Sequence, residues 1–433
     1  MNYFLGQPIF LYIDPGTGSM LFVAILGVLS SLHFFLKKLW MKIKYSVGAG
    51  DKAVDTGKKD VVIFSEGKQY AYVFKDIVRI LDKKGIKAEY WTTDEHDEVL
   101  KDEYENVKTE YIGEGNRAFV RLNSMDAKLC LSTTPGLEVY QWKRSKKVDE
   151  YAHIFHSIDE GLAYRMFGID FYDTILGVGE FQKDYIRRIE EMRGIPEKHF
   201  EVVGCTYMDE LLARKLENDK NAASGENAGG PVPAPRTILL APSWGESSVL
   251  NKYGSEMIDA LVGTGYNVII RPHPQSLKVE KDMIEGLKER YKDNARVEWD
   301  FDKNNYNSLS RADVLISDFS SVVFDFAFIF NKPVIYTDIT TDVSVLDESW
   351  LEGETLWRYK VVDDIGTMVG SDRLADIKKI IDDLIEKSDV RERREKFKNE
   401  TWANQGSAAE KVAEYIEKKV KEQPAVSAEA VTE

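Results

Sequence analysis

Three stretches of this chain end a run of apolar residues on side chains that bind anions or move protons. VIIRPHPQS (268–276) runs a buried strand into a histidine held between two prolines. Pro272 and Pro274 keep the backbone of His273 extended and rigid where the strand stops, and an imidazole there can donate to a departing phosphate. In LISDFSSVVFDF (315–326) a short apolar strand is followed by Ser317, Asp318, Ser320 and Ser321 and then by an apolar helix. Ser320 or Ser321 stands at the helix N-cap, where hydroxyls, free backbone N–H groups and the helix dipole favour an anion such as a diphosphate. The plain alternative is that these serines only cap the helix. Asp325, four residues after Ser321, shares its face and is placed to orient the loop or to meet a sugar or ribose hydroxyl. LLAPSWGESS (239–248) is the third such strand end. In HIFHSIDEG (153–161) two histidines at odd spacing point to opposite faces of a strand. His156, beside Ser157 and an acidic turn, is expected at the crevice, and His153 in the core.

These groups need a scaffold that brings strand ends together. VVIF (61–64), KAEYWTT (87–93), KLCLSTTPG (128–136), YAHIFHSID (151–159), DTILGVG (173–179) and FEVVGC (200–205) alternate with helical segments. That alternation implies crossover units and a mostly parallel sheet, whose ligands bind beyond the carboxyl ends of the strands. NDKNAASGENAGGPVPAP (218–235) breaks the pattern as a linker, and the alternation restarts at TILLAPSW (237–244). The expectation is an α/β protein with two Rossmann-like domains, 61–217 and 236–422, and a disordered tail over 423–433.

The N-terminus differs. SMLFVAILGVLSSLHFFL (19–36) is nearly all apolar and is followed by Lys37, Lys38, Lys42 and Lys44. Its length and the charge behind it predict a single-pass anchor over 19–39, with 1–18 outside the cell membrane and a connector, 40–60, leading to cytoplasmic domains. A buried core helix is the alternative. The net charge of −15 argues against nucleic acid as a partner. Two cysteines make no disulfide framework, and neither a metal-ligand spacing nor a Gly-x-Gly-x-x-Gly or phosphate-loop lysine signature is present. No metal or cofactor is expected.

Arg271-Pro272-His273-Pro274, followed by SDFSSVVFDFAFIFNKPVIY (317–336), resembles the CDP-glycerol glycerophosphotransferase family, membrane-associated enzymes that build teichoic-acid-like polyol phosphate chains. FYDTILGVGEFQKDYI (171–186), VVGCTYMDEL (202–211), LLAPSW (239–244) and NQGSAAEKVAEYI (404–416) extend the likeness over about 150–416. The resemblance implies the two-domain GT-B fold, with an acceptor domain first and a nucleotide-donor domain second. It implies that His156 is general base on the acceptor hydroxyl and that His273 stabilises the leaving nucleotide phosphate. Arg271, Ser317, Asp318, Ser320, Ser321, Asp325, Ser243 and Trp244 form the implied donor side. Two stretches depart from the family pattern. Phe155-His156-Ser157-Ile158 stands where Trp-His-Gly-Thr is usual, and Ala241-Pro242-Ser243-Trp244-Gly245 where Ala-Pro-Thr-Trp-Arg is usual.

The implied reaction moves a glycerol-phosphate or related polyol-phosphate unit from a CDP-linked donor, as substrate, to a membrane-linked polyol-phosphate or glycolipid acceptor. A GT-B glycosyltransferase using a nucleotide-sugar and a non-catalytic, membrane-tethered nucleotide-binding scaffold are the competing readings.

Overall fold

The computed structural model describes residues 32, 35, 36, 57–224, 235–302, 304–318, 320–338, 342–351 and 353–422. The expected anchor lies almost entirely outside these residues, as does the expected tail. Among the described residues no helix is long and apolar enough to cross a membrane.

Among the described residues thirteen strands form two sheets. The first lobe contains β1 (Lys59–Ser65), β2 (Ala88–Thr92), β3 (Val107–Tyr111), β4 (Ala127–Ser132), β5 (Val148–Ile154), β6 (Thr174–Gly177) and β7 (His199–Val202), in the order β3-β2-β1-β4-β5-β6-β7. The second contains β8 (Thr237–Leu240), β9 (Asn267–Ile270), β10 (Val297–Trp299), β11 (Val314–Ser317), β12 (Val334–Thr337) and β13 (Gly366–Val369), in the order β10-β9-β8-β11-β12-β13. Every pairing is parallel. Central strands such as VVIFS and VLIS are buried along their length, as sheets covered on both faces require. The strand order reverses between β1 and β4 and again between β8 and β11, so each lobe has a crevice at that point.

Two expected boundaries are corrected. The helix Thr206–Ser224 runs through the first seven residues of the expected linker, 218–224. Lys215 pairs with Asp219 at 2.6 Å one turn on, and Ala222 and Ala223 are strong helix formers, so composition that looked loop-like continues the helix. The C-terminal helix, expected within the second domain, instead completes the first. In the helix Ala408–Lys421, Val412, Ala413, Tyr415 and Ile416 are buried with Val61, Ile63, Leu129 and Leu131 of the first sheet and with Phe74 and Ile77 of the helix Ala71–Lys83. Asp209 caps the returning helix by accepting the N–H groups of Gly406 and Ala408 at 2.6 and 2.7 Å. Lys419 pairs with Glu150 at 2.8 Å.

The lobes are joined by buried charge. Second-lobe Asp347 accepts the N–H groups of Phe167 and Gly168 at 2.7 and 3.1 Å and pairs with Arg193 at 2.5 Å, and Arg193 also holds Asp170. Arg358 reaches back to Glu160 at 2.5 Å and to its own lobe's Glu348 at 2.9 Å. Phe181 stacks on Trp357 with centroids 4.4 Å apart. Tyr207 of the first lobe donates to Asp325 of the second at 2.9 Å, and Asn305 donates to the Tyr207 hydroxyl at 3.1 Å. Burial pushes the Asp325 carboxyl up to about 7, against the opposing bonds from Tyr207 and Asn305.

Two outcomes follow from this packing. A fragment ending at residue 235 lacks the helix that fills one face of the first sheet, and is expected to show no cooperative thermal transition by circular dichroism. A sharp two-state melt would contradict the shared core. Asp325 binds its proton more tightly folded than unfolded, so folded stability should fall as pH rises from about 4 to about 7. Urea unfolding of Asp325→Asn at pH 5 and pH 8 should show the variant gaining on the parent at the higher pH; parallel pH dependence in both would contradict the assignment.

Candidate active site

On the first lobe, the carboxyl ends of β1, β4 and β5 lie side by side. His153, in β5, is fully buried, with Nε2 3.1 Å from the Tyr164 hydroxyl, and burial pushes its imidazole down to about 3. It is a neutral core histidine. His156 lies two residues past the end of β5. Its Nδ1 is 3.1 Å from the hydroxyl of Thr133, just beyond β4, and its ring meets Tyr70 edge-on at 5.1 Å. Burial holds this imidazole below its ordinary value, with Asp159 opposing. When Nδ1–H donates to Thr133, Nε2 is a free acceptor for the proton of a hydroxyl nucleophile. The turn beyond is fixed by Asp159, which accepts from Ser157 Oγ at 2.8 Å and from the Gly161 N–H at 2.6 Å.

The sequence reading missed three neighbours of His156. Glu66 follows β1 directly, and burial raises its carboxyl from the ordinary value, with a hydrogen bond from Thr134 opposing. The Glu66 charge and burial together raise Tyr70. Thr134, next to Thr133, carries the hydroxyl that lowers the Glu66 carboxyl against burial. The signal was available: Ser65-Glu66-Gly67 and Ser132-Thr133-Thr134 both end central apolar strands on polar residues.

On the second lobe the expected donor residues divide into two groups. Several are engaged within the scaffold. Ser317 is fully buried and donates to the Ala241 carbonyl at 2.6 Å, joining the ends of β11 and β8. Asp318 is buried and accepts the N–H of Ser243 at 3.0 and 2.9 Å and that of Val249 at 3.3 Å, so both of its oxygens shape the loop after β8. The backbone of Ser243 is committed to the same contact. Arg271 pairs with Asp300 at 2.6 Å and donates to the Asp302 carbonyl at 2.7 Å, drawing its guanidinium toward the end of β10. Asp325 accepts from Tyr207 across the lobes. In each case the polar group is buried, and a buried charge or hydroxyl must find a partner inside the protein.

The other group stays open. Ser321 occupies the N-cap position of the helix Val322–Phe330, but its backbone is already helical and its side chain makes no capping hydrogen bond. The half-buried Ser320 and exposed Ser321 flank this helix start. His273 lies three residues past β9. Its Nδ1 accepts the Gln275 N–H at 3.1 Å, so the neutral ring carries its proton on Nε2. Burial lowers its imidazole and Glu280 opposes that shift. Trp244, half exposed, lies over the ring with centroids 6.5 Å apart and planes 30° apart.

Among the described residues no group of three or more His, Cys, Asp or Glu is placed to hold a metal ion. Cys130 and Cys205 are buried free thiols, pushed well above the usual range by burial.

The two-lobed parallel architecture is shared with solved proteins. The wall teichoic acid polymerase TagF superposes with a TM-score of 0.56 at 15% identity, over 91% of this chain and 99% of that one. The UDP-GlcNAc 2-epimerase of Methanocaldococcus jannaschii, in complex with UDP-GlcNAc and UDP, gives 0.53 at 16% identity, over 83% and 99%. At these identities the likeness is one of fold, and it is GT-B-like. No curated protein matches the chain. The model of one family, described as CDP-Glycerol:Poly(glycerophosphate) glycerophosphotransferase, matches residues 182–418, more than half of the chain and all of the second-lobe strand ends described above. The chain belongs to the CDP-glycerol:poly(glycerophosphate) glycerophosphotransferase family and is an enzyme of that type.

Proposed function

We propose that the protein transfers a glycerol-phosphate, or related polyol-phosphate, unit from a CDP-activated donor to a membrane-linked polyol-phosphate or glycolipid acceptor during synthesis of a cell-envelope polymer. The observation that carries this reading is the pairing of a helix start where Ser321 makes no capping hydrogen bond with an imidazole whose tautomer presents Nε2–H, both at carboxyl ends of the second sheet. Together they suit a diphosphate.

In this reaction an acceptor hydroxyl attacks the β-phosphorus of the donor. A new P–O bond forms to the acceptor, the P–O bond to the nucleotide breaks, and CMP leaves. His156 takes the hydroxyl proton on Nε2. His273 donates from Nε2 to the oxygen that gains charge on CMP. Amides at the start of the helix Val322–Phe330, with Ser320 and Ser321, hold the donor phosphates, and Trp244 walls the site beside His273. Ser317, Asp318 and Ser243 act behind these groups by fixing the loops. The apolar run 19–36 would keep the enzyme at the cell membrane, its catalytic lobes in the cytoplasm beside a lipid-linked acceptor.

The full-length protein supplied with CDP-glycerol, CDP-ribitol and a panel of nucleotide-sugars, with crude membranes as acceptor, is expected to release CMP from a CDP-polyol. His156→Ala and His273→Ala should each lower that rate about 10²–10⁴-fold, with His156→Ala still binding CDP. A nucleoside diphosphate released from a sugar donor, or CMP release unchanged in both variants, would contradict the reading.

A second outcome concerns pH. The base form of His156 is the active one, and burial holds its pKa below the 6.5 of an ordinary histidine. The acid limb of kcat/KM should therefore have its midpoint below 6.5, with activity lost as pH falls through it. A midpoint above 7 would exclude His156 as the base.

A further inference from the structure

We propose that loops 133–147 and 155–173 of the first lobe form a surface that docks on the interfacial layer of an anionic lipid bilayer, with Tyr140, Phe167 and Phe171 entering that layer and Lys143, Lys146 and Arg165 meeting its headgroups. This inference rests on the placement at the cell membrane proposed above.

A parallel sheet is ordinarily covered by helices on both faces. Between β4 and β5, and again between β5 and β6, the crossover is a loop instead. The two loops are bonded to each other. Gly136 donates its N–H to the Gly168 carbonyl at 2.7 Å, the Tyr172 hydroxyl donates to the Thr134 carbonyl at 2.5 Å, and Arg144 donates to the Phe171 carbonyl at 2.6 Å. Leu137, Trp142, Ile169 and Tyr172 turn inward and fill the core. Tyr140, Phe167 and Phe171 do not; they are 46, 39 and 44% exposed. Second-lobe Val345, 58% exposed, joins them where its carbonyl accepts the Met166 N–H at 3.1 Å.

The outward placement is built in. Phe167 has a φ of +66°, a conformation that costs a bulky residue energy and persists only where its surroundings impose it. Here Asp347 accepts the N–H groups of Phe167 and Gly168, and the Arg193 guanidinium lies 4.8 Å from the centre of the Phe167 ring. Glu138 also has a φ of +66°. Its N–H donates to the Trp142 carbonyl at 2.8 Å and its carboxylate accepts the Arg144 N–H at 2.6 Å, closing the turn that carries Tyr140. A contiguous apolar patch held outward in this way marks a surface for association.

Charge selects the occupant. Loop 133–147 carries Lys143, Arg144, Lys146 and Lys147 against Glu138 alone, in a chain whose net charge is −15. The acids of loop 155–173 are engaged by the protein: Asp173 with Arg144 at 2.8 Å, Asp170 with Arg193 at 2.5 Å and Glu160 with Arg358 at 2.5 Å, while Asp159 holds its own turn. Lys143, Lys146 and Arg165 are exposed. Aromatic side chains beside lysine and arginine suit the membrane–water interface, and anionic headgroups supply the counter-charge. Residues 37–58 separate the apolar run from β1, and 22 residues reach at most about 75 Å. A tether of that length does not by itself choose which face of the lobes meets the lipid. Docking by this face sets the loop that opens with Phe155 and His156 against the layer from which a lipid-linked acceptor projects.

Cys130 and Cys205 are buried, so an exposed cysteine introduced into the full-length protein takes a polarity-sensitive fluorophore selectively. Tyr140→Cys and Phe171→Cys report on the proposed surface. Leu216→Cys and Val279→Cys, exposed on helices of the first and second lobes, are the controls. Each protein is reconstituted into phosphatidylcholine vesicles with and without phosphatidylglycerol. With phosphatidylglycerol present, the labels at 140 and 171 should emit at shorter wavelength and be quenched by a nitroxide lipid, and both effects should weaken as salt is raised. The controls should show neither. No shift at 140 and 171, or an equal shift at the controls, overturns the inference. A shift that appears with crude membranes but not with pure lipid assigns the surface to a protein or glycan partner and overturns it equally. A shift in pure lipid without CMP release from any donor upholds the surface and overturns the functional reading instead.

Discussion

A buried guanidinium between two carboxylates ties the two lobes of this molecule together. Arg358, from the second lobe, lies between its own Glu348 and first-lobe Glu160, and Glu160 is four residues after His156 on the same loop. Asp347 grips the far end of that loop through Phe167, Gly168 and Arg193. The second lobe therefore holds the loop that begins with the proposed base. Such pairs add little net stability over well-packed apolar residues, but losing one partner strands a buried charge at a cost of roughly 3–5 kcal/mol. Their value here is geometric. The strands of the described residues all pair in parallel, so each sheet collects its loops along one edge. The ion network, Trp357 packed on Phe181, and the Tyr207–Asp325 bond keep the two lobes in register.

Local pattern made much of this legible. Central strands stand out in the sequence because burial on both faces demands continuous apolar runs. The strands that went unread, Val107–Tyr111, Val297–Trp299 and Gly366–Val369, are all edge strands with shorter and more polar sequences. The different settings of His153 and His156 are not explained by the two-residue period of a strand, because β5 ends at Ile154 and His156 lies beyond it. The path of the last helix was not legible. Its amphipathic face fits any sheet, and what selects the first one is distant in sequence: the Asp209 cap and the groove beside the helix Ala71–Lys83.

The donor residues show a second kind of limit. Ser317, Asp318, Arg271 and Asp325 have the right types for binding a phosphate or a ribose, and each is used inside the protein. Side-chain chemistry alone does not reveal whether a polar group at a strand end faces the ligand or the neighbouring loop. The partner decides, and the partners Ala241, Val249, Asp300 and Tyr207 are 29 to 118 residues away. These fixed contacts hold the open groups, Ser320, Ser321, His273 and Trp244, in place before a donor arrives. Preorganised dipoles of this kind pay no reorganisation cost as charge develops on the leaving group.

The central claim is that the donor diphosphate binds between the start of the helix Val322–Phe330 and Nε2 of His273. The most direct measurement is an experimental structure of the full-length protein with CDP bound. The account predicts a phosphate oxygen about 3 Å from His273 Nε2, with the other phosphate at the amides following Ser320 and the nucleotide on the second lobe. CDP seated on the first lobe beside His156, or phosphates held by Arg271 released from Asp300, would contradict it.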